Sequence, residues 1–388
     1  MNRKLRMGMI GGGRNAFIGA VHRVAANMDG LIEVVCGALS TDPENALHSG
    51  RSLFLPEERI YLTYEEMLRK ERQLPADQRM DFVTIVTPNF AHFEPAMMAL
   101  ENGFHVVSEK PLTLTLEEAL QLQRKIQKTG LRLMLTHTYS GYPMVKEARS
   151  MVRAGKLGEI RKVIVEYPQG WLSRLVYKGG NPQAAWRADP ERSGKSGCMA
   201  DIGTHAAHLA EYVTGLRITE LCAQLSVMTT GNSLDDDGNV LLKFNNGATG
   251  VLLASQVATG EENALKIRVY GQKGGIEWFQ QEPNSLLVKW ADSFMQTVRA
   301  GTRYTGLLSE DALHNCRTPG GHPEGYLEAF ANLYRNFAGM LSAEMDGRNP
   351  SDQMLDFPSI SDGVRGMAFI ECVLASNASD EKWTKFTC

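Results

Sequence analysis

Residues 5–23, LRMGMIGGGRNAFIGAVHR, constrain what this chain can fold into more than any other stretch. An apolar run, Met7 to Ile10, stops at Gly11, Gly12 and Gly13, and a helix-compatible segment follows. Strand, glycine turn and helix in that order open a dinucleotide-binding fold. Glycines let the backbone turn tightly and approach a pyrophosphate, whose charge then sits at a helix N-terminus. The spacing is irregular: Gly11-x-Gly13 is followed by Ala16 where a third glycine would stand, and Gly19 takes that role only in a longer loop. A glycine turn alone is a weak signal; its N-terminal position and the strand that follows on schedule give it weight. The candidate cofactor contacts here are Gly11, Gly13, Arg14, Asn15, Ala16 and Phe17.

The β-branched run at 31–39, LIEVVCGAL, reads as the second strand. An NAD-specific site usually places an acid at its tip, for the ribose 2′-hydroxyl. Here that position is Ser40, and Asp42 is expected to cap the helix that starts at Pro43. Without the acid, and without a following arginine, NAD and NADP both stay open. Buried-type strands at 80–86, 104–108 and 131–135 alternate with helical segments, which implies a parallel, doubly wound sheet. The strand at 80–86 runs into Thr87-Pro88-Asn89, and Pro88 takes the chain out of the ladder at the carboxyl edge, where open α/β sheets bind ligands. Thr87, Pro88, Asn89 and His92 are therefore candidate cofactor contacts. The strand at 104–108 ends in Glu109-Lys110-Pro111. A lysine at such an edge can hydrogen-bond a substrate hydroxyl, stabilise developing negative charge or relay a proton; it can equally be a surface lysine in a loop.

Farther along, Gly197 breaks the chain and the segment to Val213 is helical in pattern. Ile202, Ala206, Leu209 and Val213 mark an apolar face, while Asp201, His205 and His208 fall on another at i, i+4 and i+7. One helix end would thus present a carboxylate and an imidazole together, as a structural hydrogen bond or as a proton-accepting pair. Three such side chains also suit zinc, but with no further ligand cluster evident no metal is expected. From 216 the pattern is strand-like, with turns at Asn245-Asn246-Gly247 and Gly274-Gly275, and predicts an open, largely antiparallel sheet. Asp235-Asp236-Asp237 reads as a solvated turn, and 292–319 as irregular. His322 and Glu324 precede a helix and are expected to cap it, with His322 a candidate pocket residue.

The length of 388 residues implies two domains: 1–136 binding dinucleotide, and 137–388 binding substrate and mediating oligomerisation, with the C-terminal helix packing back on the first. With 22% charged residues and a net charge of −3, nothing favours nucleic acid or a membrane surface. No apolar run approaches the roughly 20 residues that span a bilayer. Six scattered cysteines and the absence of a signal-peptide pattern point to a cytoplasmic protein with reduced thiols. A long sheet with helices on one side needs cover, which self-association as a homodimer or homotetramer would supply.

GMIGGG, VTPN at 86–89, EKPL at 109–112 and GCMADIGTHAAHLAEYVTG at 197–215 together resemble the Gfo/Idh/MocA oxidoreductases, in order and along essentially the whole chain. The resemblance implies a Rossmann domain followed by an α+β domain. It implies an NAD(P)-dependent dehydrogenase acting on a sugar, sugar derivative or inositol, with NAD favoured over NADP. It makes Lys110 and His205 the groups that orient and deprotonate a secondary hydroxyl, and Asp201 the group that holds the imidazole or a neighbouring hydroxyl. Glu109 and Lys110 would reach the cofactor. By the same resemblance Tyr139 lines the nicotinamide end, and Trp186 and Arg187 stand beside cofactor and substrate. Trp171 and His208 are further substrate candidates. The departures, the longer glycine turn and Ser40, touch cofactor binding. Two alternatives use the same set differently: a cofactor-retaining glycosidase working by transient oxidation and elimination, and a non-catalytic dinucleotide sensor.

Overall fold

The computed structural model of the chain describes residues 3–173 and 190–387. They fall into two compact units, one formed by Met1–Thr138 and Tyr326–Val364, the other by Tyr139–Gly325 and Arg365–Cys388.

In the first unit, β1 (Leu5–Ile10), β2 (Ile32–Ala38), β3 (Phe82–Ile85), β4 (His105–Ser108) and β5 (Leu133–Leu135) form a wholly parallel sheet in the order β2-β1-β3-β4-β5. Between them run α1 (Phe17–Asn27), α2 (Pro43–Ser52), α3 (Tyr64–Gln73), α4 (Phe93–Glu101) and α5 (Leu116–Thr129). Helices α2 and α5 each start at a side-chain cap. Asp42 accepts from the Glu44 amide at the start of α2, with Pro43 at its first position. Thr115 and Glu118 close a reciprocal capping box on α5, and Gly130, at φ +69°, ends it. The strands are apolar on both faces, as a sheet covered on both sides requires: Leu5, Met7, Met9, Phe82 and Met134 are all buried. The same core takes in Phe330, Leu333, Tyr334 and Phe337. Those four residues lie on a 20-residue helix, Tyr326–Met345, which packs on α1.

The second unit is built on nine strands: β6 (Ile160–Pro168), β7 (Ile218–Ser226), β8 (Asp237–Phe244), β9 (Thr249–Ser255), β10 (Lys266–Gly271), β11 (Gly274–Phe279), β12 (Ser285–Trp290), β13 (Gln296–Arg299) and β14 (Thr384–Lys385). Their order is β13-β12-β11-β10-β6-β9-β8-β7-β14, and every neighbouring pair is antiparallel except β6 with β9. Alternation on β6 buries Val163, Val165 and Tyr167 on the face met by α6 (Pro143–Arg153) and α7 (Thr204–Thr214). The other face carries an ion-pair ladder: Lys266 and Lys289 each lie within 2.7 Å of Glu277, and Arg268 pairs with Glu166 at 3.2 Å.

Three sequence expectations are corrected here. Gly274 and Gly275 open β11 rather than form a turn; the chain reverses at Gln272-Lys273. A Cβ on Gly274 would lie 2.5 Å from the Lys289 carbonyl, so close strand approach, not turning, selects glycine there. The segment 292–319 is not irregular throughout, since it contains β13 and a helix at Glu310–His314 capped by Ser309. Asp235 and Asp236 are buried, not solvated: Asp235 accepts from the Gly197 and Met199 amides, both at 2.8 Å, and Asp236 from those of Met228 and Thr229. Each carboxylate receives backbone donors that would otherwise be orphaned, which compensates its burial.

Candidate functional site

The first unit brings its expected cofactor residues to the carboxyl edge of the parallel sheet. Gly11 and Gly12 take φ of +80° and +77°, and Asn15 of +72°. The loop is stitched to β2 by the Gly11 amide on the Ala38 carbonyl and the Gly13 amide on that of Leu39. The Arg14 amide donates to Ser49 Oγ at 2.9 Å, and the Ala16 amide to the Gly13 carbonyl. Phe17 opens α1 and is largely exposed. Gly19 is the glycine of close approach: a Cβ there would stand 2.4 Å from Gly12 Cα, whereas Ala16 at the ordinary third position is tolerated. Ser40, at the tip after β2, accepts from the Asp42 amide and from Asn45 Nδ2, and Asn45 Oδ1 in turn accepts from Ser49 Oγ. The place where an acid would meet a ribose therefore holds neutral polar groups.

After β3, Thr87 Oγ1 donates to the Ala91 carbonyl across the short turn Asn89–Ala91 that follows Pro88. His92 is buried, its Nδ1 2.8 Å from the Pro111 carbonyl and its Nε2 2.8 Å from that of Thr87, so it ties the VTPN turn to the EKP turn. Burial pushes its pKa down, against the pull of the two carbonyls and of Glu109. Lys110 is half-buried beside this junction, and its amide donates to Glu109 Oε2.

Glu109 is held from below by residues the sequence reading did not single out. His22 Nε2 lies 2.9 Å from Glu109 Oε1, and Thr136 Oγ1 donates to the same oxygen at 2.7 Å. His22 Nδ1 lies 2.6 Å from the Tyr334 hydroxyl, which is 3.2 Å from Thr84 Oγ1. Burial alone would raise the pKa of Glu109. The hydrogen bond and charge of His22, the charge of Lys110 and the Thr136 hydroxyl overcome it and hold the carboxyl at about 2.

The second unit gathers Asp201, His205, Tyr139 and Trp171. The segment carrying the acid and the imidazole differs from the regular helix expected. Met199–Gly203 is a π turn, with the Thr204 amide on the Met199 carbonyl, and α7 begins only at Thr204. The wider turn holds Asp201, and His205 follows in the first α-turn. The expected division into two faces is also corrected. Ile202, Ala206, Leu209 and Val213 are buried, but so are His205, Ala207 and Ala210, because α7 lies between the sheet and α6.

Asp201 Oδ2 accepts from Gln256 Nε2 at 2.9 Å. The ring of His205 meets that of Tyr139 edge to face, centroids 4.9 Å apart, and that of Tyr167 at 6.3 Å. The two tyrosine hydroxyls bond each other; Tyr167 donates to Asn263 Oδ1 at 2.7 Å, and Asn263 Nδ2 donates to Tyr139 at 3.2 Å. Gln169 Nε2 donates to Asn263 Oδ1 at 2.7 Å, and Trp171 Nε1 to Gln169 Oε1 at 3.1 Å. Tyr167, Gln169, Gln256 and Asn263 were missed; the run Tyr167-Pro-Gln-Gly-Trp171 at a strand end was the available signal.

Two candidates stand apart. His208 stacks on Tyr212 at 5.7 Å, partly buried. His322 is exposed. Glu324 does not cap the helix that follows. Its Oε1 accepts from the amides of Arg317 and Thr318, folding the loop back on itself before Tyr326. Trp186 and Arg187 lie outside the described residues. Among the described residues no cluster of three His, Cys, Asp or Glu suits a metal ion, and no helix is long and apolar enough to cross a membrane.

Comparison with known proteins follows the same division. Residues 5–137 match the oxidoreductase family, NAD-binding Rossmann fold, and residues 145–277 match the GFO/IDH/MocA C-terminal domain. The chain resembles the crystal structure of an inositol dehydrogenase homolog complexed with NAD+ from Azotobacter vinelandii, with TM-score 0.93, 34% identity, and coverage of 100% of this chain and 98% of that one. A structure of such a homolog from the same organism, complexed with NADH and myo-inositol, gives TM-score 0.91 and 32% identity with the same coverage. The chain is also 31% identical to an uncharacterized oxidoreductase, YfiI, of Bacillus subtilis (strain 168), over 100% of this chain and 98% of that one.

Proposed function

The chain belongs to the Gfo/Idh/MocA family of NAD-binding oxidoreductases, and from that premise we propose that it oxidises a secondary hydroxyl of a cyclic polyol or sugar. The observation that carries this reading is the coexistence of two sets. One is a glycine turn with EKP and VTPN junctions tied together by His92. The other is a carboxylate and an imidazole on consecutive turns, each held by its own partner. The myo-inositol bound by the Azotobacter homolog supports a ring polyol as substrate class.

In this reading His205 takes the hydroxyl proton, and Asp201, oriented by Gln256, holds the imidazole or a neighbouring hydroxyl. Lys110 lends its charge to the oxygen on which negative charge develops, where a fixed cation lowers the barrier most. A bound NAD would supply the hydride acceptor. Gly11, Gly13 and the amides at the start of α1 would meet the pyrophosphate. Ser40 and Asn45 would meet the adenosine ribose through neutral contacts, which carry no penalty against a 2′-phosphate.

We extend the proposal to self-association through the outer face of the nine-stranded sheet. Cys222, Leu241, Val251 and Ile164 lie in register across β7, β8, β9 and β6, giving an apolar row bordered by ion pairs. Light scattering at micromolar protein would show a multiple of the 42.9 kDa chain, and a monomer would exclude this part. The functional reading is tested by supplying inositols, pyranoses and glycosides with NAD+ or NADP+ while following cofactor reduction and product together. Cleaved glycoside without net reduction would favour the redox-neutral alternative.

A further inference from the structure

The polar chain beside His205 has only one sense compatible with its donors and acceptors. Trp171 Nε1–H donates and cannot accept, so Gln169 must present Oε1 to it and Nε2 to Asn263. The Asn263 atom facing Gln169 is then Oδ1, and Tyr167, next to the same oxygen, must donate to it. A hydroxyl has one proton, so in the bond between the two tyrosines Tyr139 is the donor. Asn263 Nδ2 closes the circuit on the Tyr139 oxygen. Three groups thus form a closed ring of hydrogen bonds whose direction is set by an indole at its open end. Tyr139 and Tyr167 are both nearly fully buried, and both their rings face the His205 imidazole edge-on or edge-to-face.

We propose that Asn263 is a positioning residue. It locks the two tyrosines, and their rings fix the plane of His205, so that the imidazole meets its proton donor in one orientation. The inference rests on the reading of His205 as proton acceptor. It assigns no chemistry to Tyr139, whose hydroxyl proton is committed to Tyr167, and it gives Trp171 a role in setting the circuit rather than in touching substrate.

The sense of the circuit gives the test its control. In Gln169→Glu, one carboxylate oxygen still accepts from Trp171, and the other forces Asn263 to present its amide nitrogen. Asn263 turns over, and its own bonds and the one between the two tyrosines re-form in the opposite direction. Asn263→Leu, of the same branched shape, removes the three bonds that Asn263 makes, to Tyr167, Gln169 and Tyr139.

The experiment is NMR of the full-length protein carrying 13C-labelled histidine, with the His205 ring signal assigned by its loss in His205→Ala. The wild-type signal is ring-current shifted by the two tyrosines. In Asn263→Leu it moves towards the position of a free histidine or broadens, while the His22 and His92 signals stay; in Gln169→Glu it stays. Should Asn263→Leu fail to fold, Asn263→Ala, which makes none of these side-chain bonds and adds no bulk, gives displacement in the same direction. An unmoved His205 signal in the Asn263 variants overturns the proposal, as does an equal displacement in Gln169→Glu.

NADH production by His205→Ala, measured alongside, separates this from the functional reading. Retained turnover there defeats the reading of His205, whatever the spectra show. Lost turnover with an unmoved signal in the Asn263 variants defeats only the role of Asn263. Where both hold, Asn263→Leu lowers turnover by roughly 10- to 100-fold, the scale of a sub-ångström to ångström misplacement. It adds nothing to the loss already caused by His205→Ala.

Discussion

His22 Nε2 lies 2.9 Å from Glu109 Oε1, beneath the lysine of the EKP turn, with both side chains out of solvent. The glutamate of the motif is thereby an anchor for its own turn at the carboxyl edge of the parallel sheet. The pair fixes a carboxylate whose other oxygen holds the Lys110 amide. Removing its charge in Glu109→Gln should cost about 1.5–3 kcal/mol, the range for hydrogen bonds to charged groups. Tyr334→Phe, which removes a neutral partner of His22, should cost about 0.5–1.5 kcal/mol. Urea unfolding of the three proteins checks the order. Equal stability of wild type and Glu109→Gln would mean the pair contributes nothing.

The same pair sets an acid limit. Glu109 titrates at about 2 in the folded chain against an ordinary 4.5, so its contribution to stability is complete above pH 4.5 and is lost as pH falls towards 2. His105 acts in a higher window. Its Nδ1 accepts the Arg132 amide, and burial, with Arg132 nearby, lowers its pKa from 6.5 to about 4 despite Glu344. The folded state binds the neutral ring, so stability is full above pH 6.5 and falls as pH drops from there to 4. Unfolding free energy measured in urea between pH 7.5 and 4 should fall more steeply for the wild type than for His105→Asn, by an amount on the order of 1–3 kcal/mol.

Gly19→Ala tests the glycine turn. The added methyl would stand 2.4 Å from Gly12 Cα, so helix and turn must separate. Overpacking of this kind costs about 1–3 kcal/mol, and here it moves the backbone amides that would face the pyrophosphate. NAD+ affinity by calorimetry should weaken by about 10-fold or more, while Ala16→Gly, which restores the usual spacing, should leave it within a few-fold.

Asp235 offers a test of what holds the start of the π turn in the second unit. Its carboxylate takes the Gly197 and Met199 amides, and its carbonyl takes that of Cys198. It thus closes the start of the segment that carries Asp201 and His205, where unpaired amides and the helix dipole favour an anion. Asp235→Ala should lower stability by about 2–4 kcal/mol and lower turnover with it, as unfolding in urea and NADH production would show.

The fold class was legible because its signals are local. The parallel sheet declares itself in buried strands separated by helices, and Thr115, Asp42 and Gly130 act where their chemistry says they should. Lys110, Asp201 and His205 were legible as candidates because each sits at a break in a pattern. What holds them was not. His22 meets Tyr334 across 312 residues, Gln256 meets Asp201 across 55, and Asn263 meets Tyr139 across 124. No periodicity encodes a pairing at such separation. The aspartates at 235–237 misled for a related reason. A run of acids reads as solvated unless the backbone donors that bury it are known, and those come from residues 197–199 and 228–229. The π turn at Met199–Gly203 was likewise invisible, since its sequence, MADIG, serves a regular helix as well.

The most direct measurement is turnover of a ring polyol such as myo-inositol, and of a panel of pyranoses, with NAD+, for the wild type, Lys110→Met and His205→Gln, with NAD+ affinity measured on the same samples. The account predicts NADH and ketone in equal amounts from the wild type, and a loss of about 10²-fold or more in each variant. It also predicts NAD+ affinity within a few-fold of wild type. Wild-type turnover in either variant would contradict it.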